Sequence, residues 1–362
     1  MKVLLYGFES SKAVATLYNG FSKLVGNRNV YLCSANDPHE SNCMPRGSKY
    51  NRFVFYKIPP HQNFIPDAEL RDCGMADDFD IIVFFDDVFY NKNAYWLLNR
   101  PSGATKVFFD DKDDFFVKKA YLHKELKFYF KREMQKRLDP RHLPWTALHA
   151  YGLVRGKWIL HSGFDRNASR FFSTSSIPIG IAINDGRWKK LRPFPVTIPA
   201  PVKHHIESKS ARVYDVSFMG NLNNYLKKRY YLYAKSLSDS GFMKGYFKGA
   251  HIDYDTYADV LRHSKVGLSL KAFGEDAYRF WETVYEGATL LSHTPLLVIP
   301  NNFVNGESAL FFETREEMRA KIERYVLKSD EWYEIGRAGN RHFWKYHTPE
   351  RRIKDLMLKY IV

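Results

Sequence analysis

The chain has 362 residues, enough for two domains of ordinary size with a core each, and its 55 Lys and Arg against 40 Asp and Glu give a formal charge of +15. No uninterrupted apolar run reaches the 18 residues of a membrane span, and the first apolar stretch meets charge by Glu9, so it reads as a buried strand and not as a signal peptide. Three cysteines, Cys33, Cys43 and Cys73, are an odd number without ligand-like spacing; they point to free thiols in a reducing, cytoplasmic setting and to no zinc site. The basic balance favours acidic partners, whether nucleic acid, an anionic membrane surface touched peripherally or a phosphorylated substrate, without choosing among them.

In chain order, residues 2–7 read as a buried strand, 11–25 as a helix, 29–34 as a strand and 52–57 as another. Residues 80–85 (DIIVFF) and 106–109 (KVFF) are short apolar runs of the central parallel-strand type. The second ends in an acidic cluster, Asp110, Asp111, Asp113 and Asp114. Helical patterning is expected over 118–137. Residues 192–212 hold four prolines and little periodicity, which marks a linker, because Pro is excluded from helix interiors and central strands. A second alternating unit follows: strand 215–219 ending at Gly220, helix 225–240, strand 246–247, helix 254–264, strand 265–270, a helix opening near Tyr278, strand 289–291, helix 315–327 and two closing helices at 331–346 and 349–361. Strands alternating with helices predict an α/β protein with doubly wound parallel sheets.

The segment from Tyr278 to Leu291, YRFWETVYEGATLL, carries the clearest chemistry. Arg279 and Glu282 stand at i,i+3 on one helix face, near its start, and Gly287 ends the helix. A cation beside a helix N-terminus suits a diphosphate, and a carboxylate suits ribose hydroxyls. An amphipathic helix with a surface ion pair would look the same in isolation. No Walker loop, G-x-S-x-G elbow or H-E-x-x-H motif occurs, which counts against kinase, serine hydrolase and zincin chemistry.

Over about 213–350, the ordered pieces DVSFMGN, Arg229 opening a helix, YADVLRHSKVGLSL, YRFWETVYEGATLL and ALFFETREEMRAKIERYV resemble the nucleotide-sugar glycosyltransferases of the GT-B fold, with a group 1-type carboxyl-terminal domain. A similar layout occurs in the T-even phage DNA β-glucosyltransferases, which carry an R-x-W-E-T run like Arg279 to Thr283, and in bacterial spore-coat and glycan-synthesis transferases, where a region like Tyr129 to Glu133 follows an acidic stretch.

The resemblance implies two Rossmann-like domains facing a central cleft: 1–200 on the acceptor side, 201–345 on the nucleotide-sugar side, and 346–362 as a terminal helix packing back on the first. It implies donor binding by Gly220, Asn221, Arg229, Arg279 and Glu282, a nucleotide-sugar donor of the UDP class, no essential cofactor and no metal. By position after the KVFF strand, Asp113 would be the catalytic base; Asp110, Asp111 and Asp114 stay open. Many retaining members carry E-x7-E, whereas Glu275 and Glu282 are one residue closer, a turn of about 100° on a helix that favours inversion. The acceptor would be a glycan or glycoconjugate hydroxyl. The rivals are a hydroxymethylated base in DNA, which the positive charge would suit, and a non-catalytic binding protein on a transferase fold.

Overall fold

The computed structural model describes residues 1–7, 13–34, 63–72, 74–85, 95–110, 116–118, 125–131, 176–178, 191–193, 206–222, 224–250, 252–271, 277–295 and 297–361. The first part of the chain gives β1 (Val3–Tyr6), α1 (Ala13–Val25), β2 (Val30–Ser34), β3 (Phe64–Pro66), α2 (Asp67–Asp72), β4 (Ile81–Phe85), α3 (Tyr95–Asn99), β5 (Thr105–Asp110), β6 (Phe116–Lys118), β7 (Phe128–Lys131), β8 (Ser176–Pro178) and β9 (Leu191–Pro193). The second part gives β10 (Tyr214–Met219), α4 (Tyr225–Asp239), β11 (Gly245–Lys248), α5 (Tyr254–Arg262), β12 (Ser264–Ser269), α6 (Tyr278–Tyr285), β13 (Thr289–His293), β14 (Leu310–Phe312), α7 (Arg315–Ile322), α8 (Glu331–Tyr346) and α9 (Pro349–Arg352), which runs on helically to Ile361.

Two parallel sheets result, with orders β3-β2-β1-β4-β5-β7-β9 and β11-β10-β12-β13-β14. All their pairings are parallel. Strands buried on both faces must be apolar throughout, and β1 and β4 are buried at every position. In each sheet the winding reverses beside the first strand, between β1 and β4 and between β10 and β12. Such switch points open a crevice beyond the carboxyl ends of the strands, where ligands bind.

Two expectations need correction. Residues 118–137 are not a helix where described: Phe128–Lys131 is β7, paired between β5 and β9. Tyr129 and Phe130 are buried in the first sheet, and packing of that aromatic run overrides the helical pattern of the charged residues around it. The proline-rich stretch does not begin as a free linker either. Leu191–Pro193 forms the last strand of the first sheet, and Pro193 is accommodated because an edge strand need not donate on its outer side. The strand expected at 52–57 lies outside the described residues.

The chain end returns to its beginning. Ile353, Leu356, Met357 and Ile361 pack into the same core as Leu17, Phe21 and Val83, and Lys127 Nζ donates to the Ile361 carbonyl at 2.8 Å. Ile353 is fully buried against α1, so Ile353→Ala is expected to cost about 3 kcal/mol of stability, read as a lowered denaturation midpoint.

Candidate functional site

The site is built at the carboxyl end of β10. Met219 is followed by Gly220 at φ +145°, a conformation that side-chain-bearing residues rarely adopt. Its N–H donates to the Lys248 carbonyl at the end of β11, at 3.0 Å. A short turn leads into α4, whose N-cap Asn224 accepts the Lys227 N–H at 3.2 Å through its side chain. The start of α4 therefore sits close to the strand end, with Asn221 exposed in the turn between them.

Arg279, in the first turn of α6, reaches across to this turn. Its Nη2 donates to the Met219 carbonyl, and its guanidinium carbon lies 4.3 Å from the Phe218 ring centroid. A Cβ at Gly220 would stand 3.1 Å from that carbon, so the glycine is what lets the guanidinium approach the backbone. Arg279 Nε is buried without a hydrogen-bond partner. A Schellman motif ends the helix: Gly287 N–H bonds the Val284 carbonyl and Ala288 N–H the Thr283 carbonyl, with Gly287 at φ +79°.

Lys227 joins Arg279. Burial pushes its ammonium down to about 8, and the charge of Arg279 pushes the same way. Two half-buried cations thus act on each other at one strand end, an arrangement that an anion between them would relieve. Arg229 follows Lys227 by two residues on α4, so the two point to nearly opposite sides, and Arg229 is exposed, 5.8 Å from the Tyr225 ring centroid. The spacing of Asn224 to Lys227 was the available signal, since an N-cap fixes which residues follow in the first turn.

Glu282 lies one turn beyond Arg279 on α6 and is buried, not part of a solvated face. Its Oε2 accepts the Tyr257 phenol at 2.8 Å. One turn further, Glu286 takes the Tyr254 phenol at 3.3 Å and Arg262 Nε at 2.7 Å, which ties α5 to α6. The structure therefore brings Gly220, Arg279 and Glu282 together, adds Lys227 and Tyr257, and leaves Arg229 exposed further along α4. Beyond Phe280, a small pocket opens at the ends of β12 and β13, lined in part by Ser269, Lys271, Ser292 and His293. His293 Nδ1 accepts the Lys271 N–H at 3.2 Å, and burial holds the imidazole down at about 3, so it stays neutral.

In the first sheet, Asp110 belongs to β5 itself and is buried, accepting the Tyr129 phenol. Asp113, with Asp111, Asp114 and Glu275, lies outside the described residues. Among the described residues no three His, Cys, Asp or Glu side chains gather as a metal site, and no helix is long and apolar enough to cross a membrane.

The lowered pKa of Lys227 has two consequences. Its folded value is below the unfolded one near 10.5, so between about 8 and 10.5 the unfolded chain holds more protons, and this group's contribution to stability rises with pH there. Anion binding goes the other way. As pH rises through about 8 the free protein loses this charge, and affinity for a diphosphate is expected to fall roughly tenfold by pH 10, whereas Lys227→Arg should flatten the profile. Titration calorimetry with UDP across that range measures it.

Residues 207–358 match the family model described as glycosyl transferase-like. A search of curated proteins gives no significant match. Among solved structures, the chain is similar to a glycosyltransferase from Rickettsia africae, with 10% identity, a TM-score of 0.52, and 99% of this chain and 97% of that one covered. It is similar to sucrose-phosphate synthase from Thermosynechococcus elongatus, with 10% identity, a TM-score of 0.53 and coverage of 99% and 98%. It is also similar to Anabaena HepE, solved with UDP and glucose, with 10% identity, a TM-score of 0.50 and 98% of each chain covered. The fold is of the GT-B type, with two parallel sheets and their helices as the two α/β units. The family match lies within the second unit, and the solved structures share the fold.

Proposed function

We propose that this GT-B glycosyltransferase moves a sugar from a UDP-sugar to a hydroxyl of a glycan or glycoconjugate, with inversion and without a metal, in the cytoplasm. The observation that carries the reading is the meeting of Lys227 and Arg279 at the Gly220 turn, with Glu282 held one turn along α6. The solved complex of HepE with UDP and glucose favours UDP over other nucleotides.

On this reading the diphosphate lies on the α4 N-terminus between Lys227 and Arg279, with Gly220 and Asn221 giving close backbone approach and Arg229 adding long-range attraction. Glu282 accepts the ribose hydroxyls. The acceptor hydroxyl gives its proton to Asp113 from across the cleft as its oxygen bonds the anomeric carbon. The bond from that carbon to the diphosphate oxygen breaks on the opposite face, and the two cations stabilise the charge that develops there. The polypeptide divides for this purpose into 1–200, which presents the acceptor, and 201–345, which holds the donor; 346–362 packs back on the first.

Hydrolysis of UDP-, GDP- and TDP-sugars, measured side by side, tests the reading. One class, UDP, is expected to be turned over slowly without acceptor. Absence of donor hydrolysis for all three, together with preserved acceptor binding, would favour a non-catalytic binding protein. A DNA acceptor would show itself as duplex binding that falls steeply with salt.

A further inference from the structure

We propose that Tyr257 is a positioning residue: its phenol holds the Glu282 carboxylate in register with the Arg279 guanidinium, so that ribose and diphosphate are gripped as one rigid unit. The inference rests on the donor-site reading above and deepens it. Tyr257 projects from α5, is 9% exposed, and donates to Glu282 Oε2 at 2.8 Å. Burial and the Glu282 charge push the phenol's pKa well up, while Arg279 pulls it down through its charge and a hydrogen bond, so both donor-binding groups act on one oxygen. A phenol in that state keeps its proton and donates it as a hydrogen bond to the carboxylate, which fixes the plane in which Glu282 meets the two ribose hydroxyls.

The packing does not need this hydroxyl. The α5–α6 contact is clamped separately by Glu286, which accepts from Tyr254 and pairs with Arg262, and the Tyr254 and Tyr257 rings lie 6.0 Å apart. Tyr257→Phe keeps the ring and deletes one oxygen. It therefore separates orientation of Glu282 from support of the helix, and Tyr254→Phe, one turn away on Glu286, is the matched control.

The test is calorimetric binding of UDP and of dUDP, which retains base and diphosphate and lacks one ribose hydroxyl. Wild type should prefer UDP. Tyr257→Phe should weaken UDP binding about tenfold and shrink the UDP-to-dUDP preference, as Glu282→Gln does, and the double variant should lose little more. Tyr254→Phe should keep the preference. If Glu282→Gln loses the preference while Tyr257→Phe keeps it, or if Tyr254→Phe loses it equally, the positioning role is overturned. If Glu282→Gln itself leaves UDP binding unchanged, the donor-site reading falls and this inference falls with it.

Discussion

Arg279→Ala is expected to weaken binding of UDP by about two to three orders of magnitude while leaving the thermal midpoint near that of the unchanged protein. A charge-assisted pair to a desolvated anion is worth about 3 kcal/mol or more when one partner is removed. Stability should change little because Arg279 faces another cation: without ligand, Lys227 and Arg279 push against one another, and the alanine relieves that. The lost contacts are the bond to the Met219 carbonyl, the stack on Phe218 and the interaction with the Tyr257 phenol. Arg279→Lys should fall between, keeping the charge but losing the planar fork and much of the stack. With the arginine gone, the pKa of Lys227 should also rise, and the fall of UDP affinity should move to higher pH. Calorimetric titration reads both effects; a dissociation constant within about threefold of the unchanged protein would contradict the assignment.

Asp113→Asn is expected to leave UDP binding unchanged and to lower the transfer rate by about a thousandfold, the upper part of the range for removal of a general base. The argument comes from the sequence around β5. Phe108 and Phe109 are buried in that strand, Asp110 follows as its last residue and is engaged by Tyr129, and the chain then continues with the remaining carboxylates. Asp110 is engaged by Tyr129, and Asp113 is the base that the resemblance implies, with Asp111 and Asp114 beside it in sequence. Asparagine keeps the size and loses the basicity, so binding and chemistry separate in one variant. Transfer at the normal rate by Asp113→Asn would move the role to Asp111 or Asp114, whose asparagine variants form the comparison set.

How much of this was legible beforehand depended on whether one pattern dominated locally. β1 and β4 are short apolar runs between turn residues, and central parallel strands leave almost no other reading. Likewise α6 could be read because its apolar periodicity ends at Gly287, which adopts the left-handed conformation a Schellman cap requires. β7 was hidden because three aromatic residues sit among lysines, arginines and glutamates whose spacing mimics a helix; the partner strands, not the local sequence, decide it. Lys227 was hidden inside a run of three cations that looks uniformly solvated, although helix geometry turns one inward and another outward. Tyr257 gave no polar signal at all. In YADVL it reads as one more apolar position, and only the approach of α5 to α6 brings its hydroxyl to Glu282.

The most direct test of the central claim is a structure of the protein with an intact UDP-sugar bound. The diphosphate should lie within hydrogen-bonding distance of Arg279 and Lys227 beside the Gly220 turn, with the ribose hydroxyls on Glu282. A nucleotide seated against the first sheet instead, or anywhere that leaves Arg279 and Glu282 without contact to it, would contradict the account.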